Sequence, residues 1–151
     1  MDATMSKGSF TIETQPTATQ IRFLEDRLYE FNVAATGIDD GEYVAVFVRD
    51  ERARIVAGIC GTTWGGCCEI RQLWVDATRR GAGLGTSLLQ AVEDEARRRG
   101  CTQVVLSTHS FQAPLFYARF GFEAVSTVEA YPRGHRSLLL RKMLQAPSPA
   151  N

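Results

Sequence analysis

Apolar residues recur along the chain with two different spacings, and each spacing predicts a different kind of element. They follow helical intervals over residues 21–31 and again over residues 84–96, which predicts two amphipathic helices. Thr17 and Gln20 have the spacing of a capping box before the first of these helices. The first helix is therefore expected to begin after Thr17 and to end near Asn32.

Runs rich in β-branched and aromatic residues predict the strands. A polar turn and then the pair Gly65-Gly66 separate three such runs, which predicts three consecutive antiparallel strands. The strands are expected at 10–13, 43–48, 55–64, 67–75, 102–107, 122–128 and 137–143, with a short third helix at 113–120. After the short first strand, the predicted order is α, β, β, β, α, β, α, β, β.

The strand, helix and strand within residues 71–107 form a crossover unit, which places two strands parallel. We therefore predict an α+β fold with a mixed, mostly antiparallel sheet that splays locally and is flanked by helices. The length of 151 residues suits one domain, expected at 10–144. The polar or Pro/Ala-rich ends, 1–9 and 145–151, are expected to be flexible.

Composition and charge narrow the functional classes. Seventeen basic and seventeen acidic residues give a formal net charge of zero, so binding to nucleic acid or to a membrane surface is not expected. No apolar run is long enough to span a bilayer, and the N-terminus lacks the apolar stretch of a signal peptide. These features predict a cytoplasmic protein. The basic run 97–99 pairs with acids one helical turn earlier, which indicates a structural role.

The four cysteines lack zinc-ligand spacing, so we expect free, largely buried thiols and no metal site. They are Cys60, Cys67, Cys68 and Cys101. Thiols can accept acyl groups, so a covalent route through Cys67, Cys68 or Cys101 is one alternative mechanism. No activating His or Lys is adjacent to them in sequence.

The most informative segment is 75–86, in which a strand leads through three alternating glycines into the second helix. A helix start leaves backbone N–H groups unpaired and carries the positive end of the helix dipole. Glycines let a bulky anion approach these groups, so the turn suits a pyrophosphate. A P-loop would need Gly-Lys followed by Ser or Thr, and a Rossmann turn would need glycine at Thr86. A purely structural tight turn is the alternative interpretation.

Two motifs resemble the signatures of the GNAT superfamily of N-acetyltransferases. The first is Arg80-Gly-Ala-Gly-Leu-Gly85, and the second is the segment 110–122, with its Phe-Tyr pair and final Gly-Phe. Segments 110–114 and 129–136 are similar to a small bacterial branch of that superfamily. The resemblance covers 10–144 and implies the GNAT acyl-CoA N-acyltransferase fold. Ala77 and Ser110 depart from the proline and asparagine frequent at those positions, which weakens particular cofactor contacts.

The resemblance implies transfer of acetyl from acetyl-CoA, as co-substrate, to a primary amine by direct attack in a ternary complex. Tyr117 is then the expected general acid, because the departing thiolate needs a proton and tyrosine has a suitably high pKa. Glu69 is the candidate general base. A packing tyrosine and a surface or salt-bridged glutamate are the alternatives. The expected cofactor-binding residues are Leu73, Trp74, Val75, Arg80, Gly81, Ala82, Gly83, Leu84, Gly85, Thr86, Ser107 and Phe116.

The amine acceptor is expected to contact Asp39 and Asp40, in the loop after the first helix, and His135, between the last two strands. A solvated acidic turn explains the two aspartates equally well, and a structural or solvated histidine is the favoured alternative for His135. His109 is interpreted as a polar loop residue without a catalytic role. The acceptor is a small molecule or a peptide, so acetylation of a protein N-terminus or lysine stays open. A non-catalytic acyl-CoA sensor is the alternative function, and the resemblance also suggests a homodimer.

Overall fold

A computed structural model of the protein describes residues 8 and 10–145. The chain divides into two compact units, Met1–Gly37 and Ile38–Asn151. The predicted flexible ends, 1–9 and 145–151, lie almost wholly outside the described residues. The assignment of 10–144 to one domain stays a prediction.

The first unit contains helix α1, Ala18–Thr36. The predicted capping box is present, because the Thr17 hydroxyl accepts from the Gln20 amide and the Gln20 side chain accepts from the Thr17 amide, at 3.2 and 2.7 Å. The helix runs four residues beyond the predicted end at Asn32, to Thr36, and Gly37, with a left-handed φ of 72°, is its C-cap. The predicted strand at 10–13 is wrong, since no strand pairs with it among the described residues.

The second unit contains a six-stranded sheet with the order β1-β2-β3-β4-β6-β5. Only β3 and β4 are parallel, and the other neighbours are antiparallel, which confirms the predicted mixed α+β sheet. The strands are β1 Glu42–Arg49, β2 Ile55–Trp64, β3 Cys67–Val75, β4 Gln103–His109, β5 Glu123–Glu129 and β6 Arg136–Met143. The helices are a short 3-10 turn Ala77–Arg79, α2 Leu84–Arg98 and α3 Pro114–Arg119.

Helix α2 covers one face of the sheet. Its apolar stripe, which includes Leu88, Leu89 and Val92, is buried together with the inward-facing residues of β1 to β4. Adjacent strand residues point to opposite faces, so the other face of the sheet carries more exposed side chains. Within the described residues, no helix is both long enough and apolar enough to cross a membrane.

The arginines at the end of α2 are held by carboxylates of the same helix, which confirms the structural role of the run 97–99. Glu95 binds Arg98 and Arg99, and these hydrogen bonds lower the pKa of Glu95 to about 2. Asp94 binds Arg97, three residues further along the helix. Arg99 also donates to the Tyr43 carbonyl and the Thr63 hydroxyl, at 3.0 and 3.1 Å, and so ties the helix end to β1 and β2.

A buried ion pair connects α2 to β6. The Lys142 ammonium lies 2.9 and 2.8 Å from the two carboxylate oxygens of Glu93, which is buried. Replacing Lys142 with Met is expected to lower the free energy of unfolding by about 2 kcal/mol, because it leaves the Glu93 carboxylate without this partner. The loss is smaller than for a fully buried pair, since the Lys142 side chain is 20% exposed and Arg97 also contacts Glu93.

Urea denaturation of Lys142→Met measures this loss. Arg141→Met is the matched control, because Arg141 is the preceding residue of β6 and is exposed, and it should change stability by less than about 0.5 kcal/mol. An equal loss in both variants would contradict a structural role for the Glu93–Lys142 pair.

Candidate active site

Strands β3 and β4 separate part-way along their length. Their parallel register runs from Cys67 opposite Gln103 to Ile70 opposite Leu106 and then stops. Beyond that point β3 stays paired with β2 through Val75, whereas β4 stays paired with β6 through His109. A slot therefore opens between residues 71–75 and 107–109, as the predicted splay requires.

A β-bulge in β3 lies where the slot begins. Gln72 faces Cys60 and Ile70 faces Gly61, so β3 contains one extra residue, Arg71, at this position. The bulge shifts the alternation, since Ile70 is buried before it and Leu73 is half-buried after it. A bulge bends its strand and increases the local twist, and this bulge coincides with the point where β3 and β4 stop pairing.

The walls of the slot expose backbone amides. In an antiparallel pair, alternate N–H and C=O groups point away from the partner strand, so part of the β3 backbone over 71–75 faces the slot. Leu73 and Val75 are half-buried, Trp74 is 49% exposed, and Ser107 on β4 is exposed. This backbone can hydrogen-bond an extended amide chain, as in the addition of a strand to a sheet edge.

The turn that follows β3 is fixed by its own polar groups. The Asp76 carboxylate accepts from the Thr78 amide at 2.9 Å and from the Thr78 hydroxyl at 2.6 Å, and these bonds lower the pKa of the Asp76 carboxyl. The Arg80 guanidinium Nε donates to the Val75 carbonyl at 3.2 Å. The glycines after Arg80 are therefore held at the open end of the slot.

The glycine turn presents unpaired amides at the start of α2. Gly81 and Gly83 have φ of 83° and 80°, and a Cβ placed on either would meet nothing within 4 Å. Within the described residues no side chain caps α2, and the first amides of a helix have no intrahelical acceptor. These donors and the helix dipole suit a diphosphate, so the turn fits the predicted CoA-binding role.

Gly85 lies beside α3, unlike the other two glycines. A Cβ on Gly85 would lie 3.5 Å from the Phe116 ring, an ordinary van der Waals distance. Phe116 is half-buried, and its ring also contacts Phe120 at 5.0 Å between centroids. Phe116 thus packs α3 beside the glycine turn, in addition to its predicted contact with the cofactor.

Tyr117 is held among aromatic rings. Its ring packs edge-on against Phe116 and Phe122, with centroids 5.2 and 5.6 Å away. The residue is 8% exposed, and burial raises the pKa of its hydroxyl above the ordinary value of 10.0. Among the described residues, every buried polar side-chain atom has a hydrogen-bond partner. The Tyr117 hydroxyl has no partner among these residues, so it is not fully buried and reaches the surface.

Residues 9–122 match the model of the Acetyltransferase (GNAT) family. The chain belongs to this family. It is 38% identical over 104 residues to a blasticidin-S acetyltransferase of Streptomyces morookaense, covering 68% of this chain and 76% of that protein. It also resembles crystal structures of acetyltransferases from Bacillus cereus and Agrobacterium tumefaciens. The Bacillus cereus structure has a TM-score of 0.72 and 29% identity, and the match covers 89% of this chain and 98% of that chain. The Agrobacterium tumefaciens structure has a TM-score of 0.79 and 26% identity, and the match covers 91% of this chain and 100% of that chain. The GNAT fold inferred from the motifs is confirmed.

The Glu69 side chain does not lie near Tyr117 in this GNAT sheet. Glu69 is exposed and precedes the slot, where it faces Thr62 on β2 and Val105 on β4. Its neighbours Cys68 and Ile70 are buried in the same core cluster as Tyr117, so the Glu69 side chain points to the opposite face of the sheet. A direct role as general base is therefore not supported by its position.

Asp40 lies at the end of the sheet opposite the glycine turn, apart from the other predicted acceptor residue, His135. Its carboxylate accepts from the Gly65 amide at 2.9 Å. Gly65 precedes β3, and the start of β3 lies about 25 Å along the strand from Val75. A cavity of about 170 Å³ lies there. It is lined by Asp40, Glu42, Thr63, Trp64, Gly66, Arg99 and Cys101. Asp40 and the adjacent Asp39 are therefore far from His135, which lies beside the end of β4.

The cysteines do not favour the covalent alternative. All four are free thiols, as predicted, with Cys68 and Cys101 buried. Burial raises the pKa of Cys67, Cys68 and Cys101, that of Cys68 to about 12, so the reactive thiolate is disfavoured at neutral pH. Cys67 and Cys68 also begin β3, at the opposite end of the strand from the glycine turn.

The structure differs most from the sequence interpretation at the end of β4 and in the loop after it. His109 is the last residue of β4 and not a loop residue. Its ring contacts Phe111 and Tyr131, and Phe111 contacts the predicted acceptor residue His135. The sequence did not indicate that His109, Phe111 and Tyr131 lie together, because only contacts between two loops bring them into one place.

Proposed function

We propose that the protein is an acetyl-CoA-dependent N-acetyltransferase that acetylates a primary amine by direct attack in a ternary complex. The observation that carries the proposal is the continuity of the slot with the glycine turn. The splayed part of β3 ends at Val75 and leads directly into the turn that presents the amides of α2. An extended chain with a diphosphate at one end fits this path, and CoA has that form.

The residues along this path have separate tasks. Amides at the start of α2, after Gly83, hold the diphosphate, and the β3 backbone over 71–75 holds the pantetheine amides. A β3 amide that points into the slot can also stabilise the negative charge that develops on the carbonyl oxygen. Bound acetyl-CoA supplies a thioester whose acetyl group passes to the amine nitrogen as the thiolate departs.

The amine attacks in its neutral form, and the proton that its nitrogen loses on forming the amide passes to solvent. Tyr117 donates the proton that the departing sulfur requires and is reprotonated from solvent. Its raised pKa keeps the hydroxyl protonated at neutral pH, and its aromatic neighbours fix the ring beside the glycine turn. The thiols are not needed, because the acetyl group passes directly between the two substrates. Use of acetyl-CoA and four free cysteines are consistent with the cytoplasm as the site of action.

Acetyl-CoA binding tests the proposal through a single glycine. Gly83→Asp is expected to weaken binding by about thirtyfold, because it strains a left-handed residue and places a negative charge at the helix start. Gly100→Asp is the matched control, since Gly100 has a similar φ of 79° at the other end of α2. Isothermal calorimetry with acetyl-CoA measures both variants, with NADH as the control ligand.

Each outcome has a distinct meaning. Acetyl-CoA binding that Gly83→Asp weakens and Gly100→Asp preserves supports the cofactor site. A wild-type protein that does not bind acetyl-CoA overturns the proposal. Binding without acetylation of any amine in a panel indicates a cofactor sensor. Blasticidin S belongs in that panel because of the name of the relative from Streptomyces morookaense.

A further inference from the structure

Four aromatic rings cluster where the loop after β4 meets the loop between β5 and β6. His109 stacks parallel to Phe111 with centroids 5.4 Å apart, and Tyr131 contacts His109 edge-on at 5.1 Å. His135 contacts Phe111 edge-on at 4.8 Å. Phe111 and Tyr131 are nevertheless 56% and 57% exposed. These four residues form the ring cluster, which presents aromatic surface to solvent.

Backbone hydrogen bonds hold the two loops together. The Ser110 amide donates to the Arg136 carbonyl at 2.9 Å, and the Arg136 amide donates to the Ser110 hydroxyl at 3.1 Å. The His109 ring Nδ1 lies 3.1 Å from the Tyr131 carbonyl. Because a carbonyl only accepts, the proton is on Nδ1 and the other ring nitrogen is left as an acceptor when the imidazole is neutral. The ring cluster is therefore ordered before any ligand binds.

The ring cluster lies at the mouth of the slot. His109 is the last residue of β4, three residues beyond Leu106, where β3 and β4 separate. Three strand residues span about 10 Å. Phe111 begins the segment that leads into α3 and Tyr117. A molecule bound on the rings can therefore reach into the slot with a short arm.

The chemistry of the ring cluster favours one class of ligand. Aromatic rings attract other planar rings in offset or edge-to-face contacts. Cations also bind aromatic faces, but the exposed basic residues Arg133 and Arg136 flank His135 in sequence, and their charge disfavours a cationic group at the cluster. We propose that the acceptor is an amine that carries a neutral planar aromatic group, which stacks on the ring cluster while its amino arm enters the slot. This inference rests on the proposed function.

Matched amines that differ only in ring planarity test the inference. The probes are 2-phenylethylamine and 4-phenylbutylamine, each compared with its cyclohexyl counterpart of the same arm length. The wild type is expected to prefer the planar amine in kcat/KM, by on the order of three- to tenfold. Phe111→Leu should reduce this ratio to about one, because leucine keeps the apolar contact and removes the π face. Phe47→Leu, an exposed phenylalanine on β1, is the control and should keep the ratio.

A second measurement separates failure of the inference from failure of the proposed function. Saturation-transfer NMR of the phenyl amines in the presence of CoA detects ring binding without turnover. Acetyl transfer with equal efficiency for planar and cyclohexyl amines overturns the inference and leaves the proposed function intact. If no amine of the panel is acetylated, the proposed function fails. If Phe111→Leu also does not remove the saturation-transfer signals of the phenyl rings, the ring site is overturned as well.

Discussion

Replacing Tyr117 with phenylalanine is expected to lower kcat for acetyl transfer by about 10²–10⁴-fold, the usual contribution of a positioned general acid. Phenylalanine keeps the edge-on contacts with Phe116 and Phe122 and removes only the hydroxyl. The fold and acetyl-CoA affinity should therefore change little. Steady-state kinetics measures the loss, and calorimetry with acetyl-CoA confirms that the cofactor site is intact.

The pH dependence distinguishes acid catalysis by Tyr117 from a packing role. The neutral hydroxyl is the active form, and burial disfavours the phenolate, which raises the pKa of Tyr117. Activity should persist as the pH rises past the ordinary tyrosine pKa and should fall only as the pH passes the raised value. This alkaline loss should be absent from the residual activity of Tyr117→Phe. Profiles of kcat against pH for both proteins measure it.

Tyr43→Phe is the matched control for Tyr117→Phe. Tyr43 lies on β1, is 58% exposed and is remote from α3 in the sheet order, so removal of its hydroxyl should leave kcat within about twofold. A Tyr117→Phe variant with wild-type kcat would show that another group supplies the proton, and Tyr117 would then be a packing residue.

Local patterns determined most of the fold that could be predicted from sequence. The capping box at Thr17, the pair Gly65-Gly66 and the apolar stripe of α2 act within a few residues of their own positions, and all three predictions are confirmed. The prediction of a strand at 10–13 was wrong for the opposite reason. A strand depends on a partner elsewhere in the chain, which a local apolar run does not provide.

The same division separates the parts of the candidate site. The glycine turn is contiguous, so its φ angles and its place at the start of α2 follow from residues 81–85 alone. The ring cluster joins two loops that are about twenty residues apart, and its members show no shared spacing. Asp40 shows the same limit, since the loop that follows α1 in sequence lies at the end of β3 opposite the glycine turn. Motifs therefore predict the cofactor site, whereas the proposed acceptor side depends on contacts between loops.

The predicted slot itself depends on a residue that no motif includes. Gly61 on β2 faces the bulge in β3, and a Cβ placed on it would lie 2.0 Å from the Glu69 carbonyl oxygen. Side-chain rotation cannot relieve that overlap, because the backbone fixes the position of a Cβ and the carbonyl oxygen is itself a backbone atom. Gly61→Ala is therefore expected to lower the free energy of unfolding by about 3–5 kcal/mol, which is more than ordinary overpacking costs. Urea denaturation measures the loss.

Gly58→Ala makes the same substitution in the same strand and serves as the control. A Cβ on Gly58 would meet the Phe47 ring at 2.9 Å, and a half-exposed side chain can move aside, so the cost should be about 1 kcal/mol. In Gly61→Ala the strands must shift at the bulge, so any protein that still folds should bind acetyl-CoA more weakly. Equal stability of the two variants would mean that the bulge does not require glycine at Gly61, and the separation of β3 from β4 would need another cause.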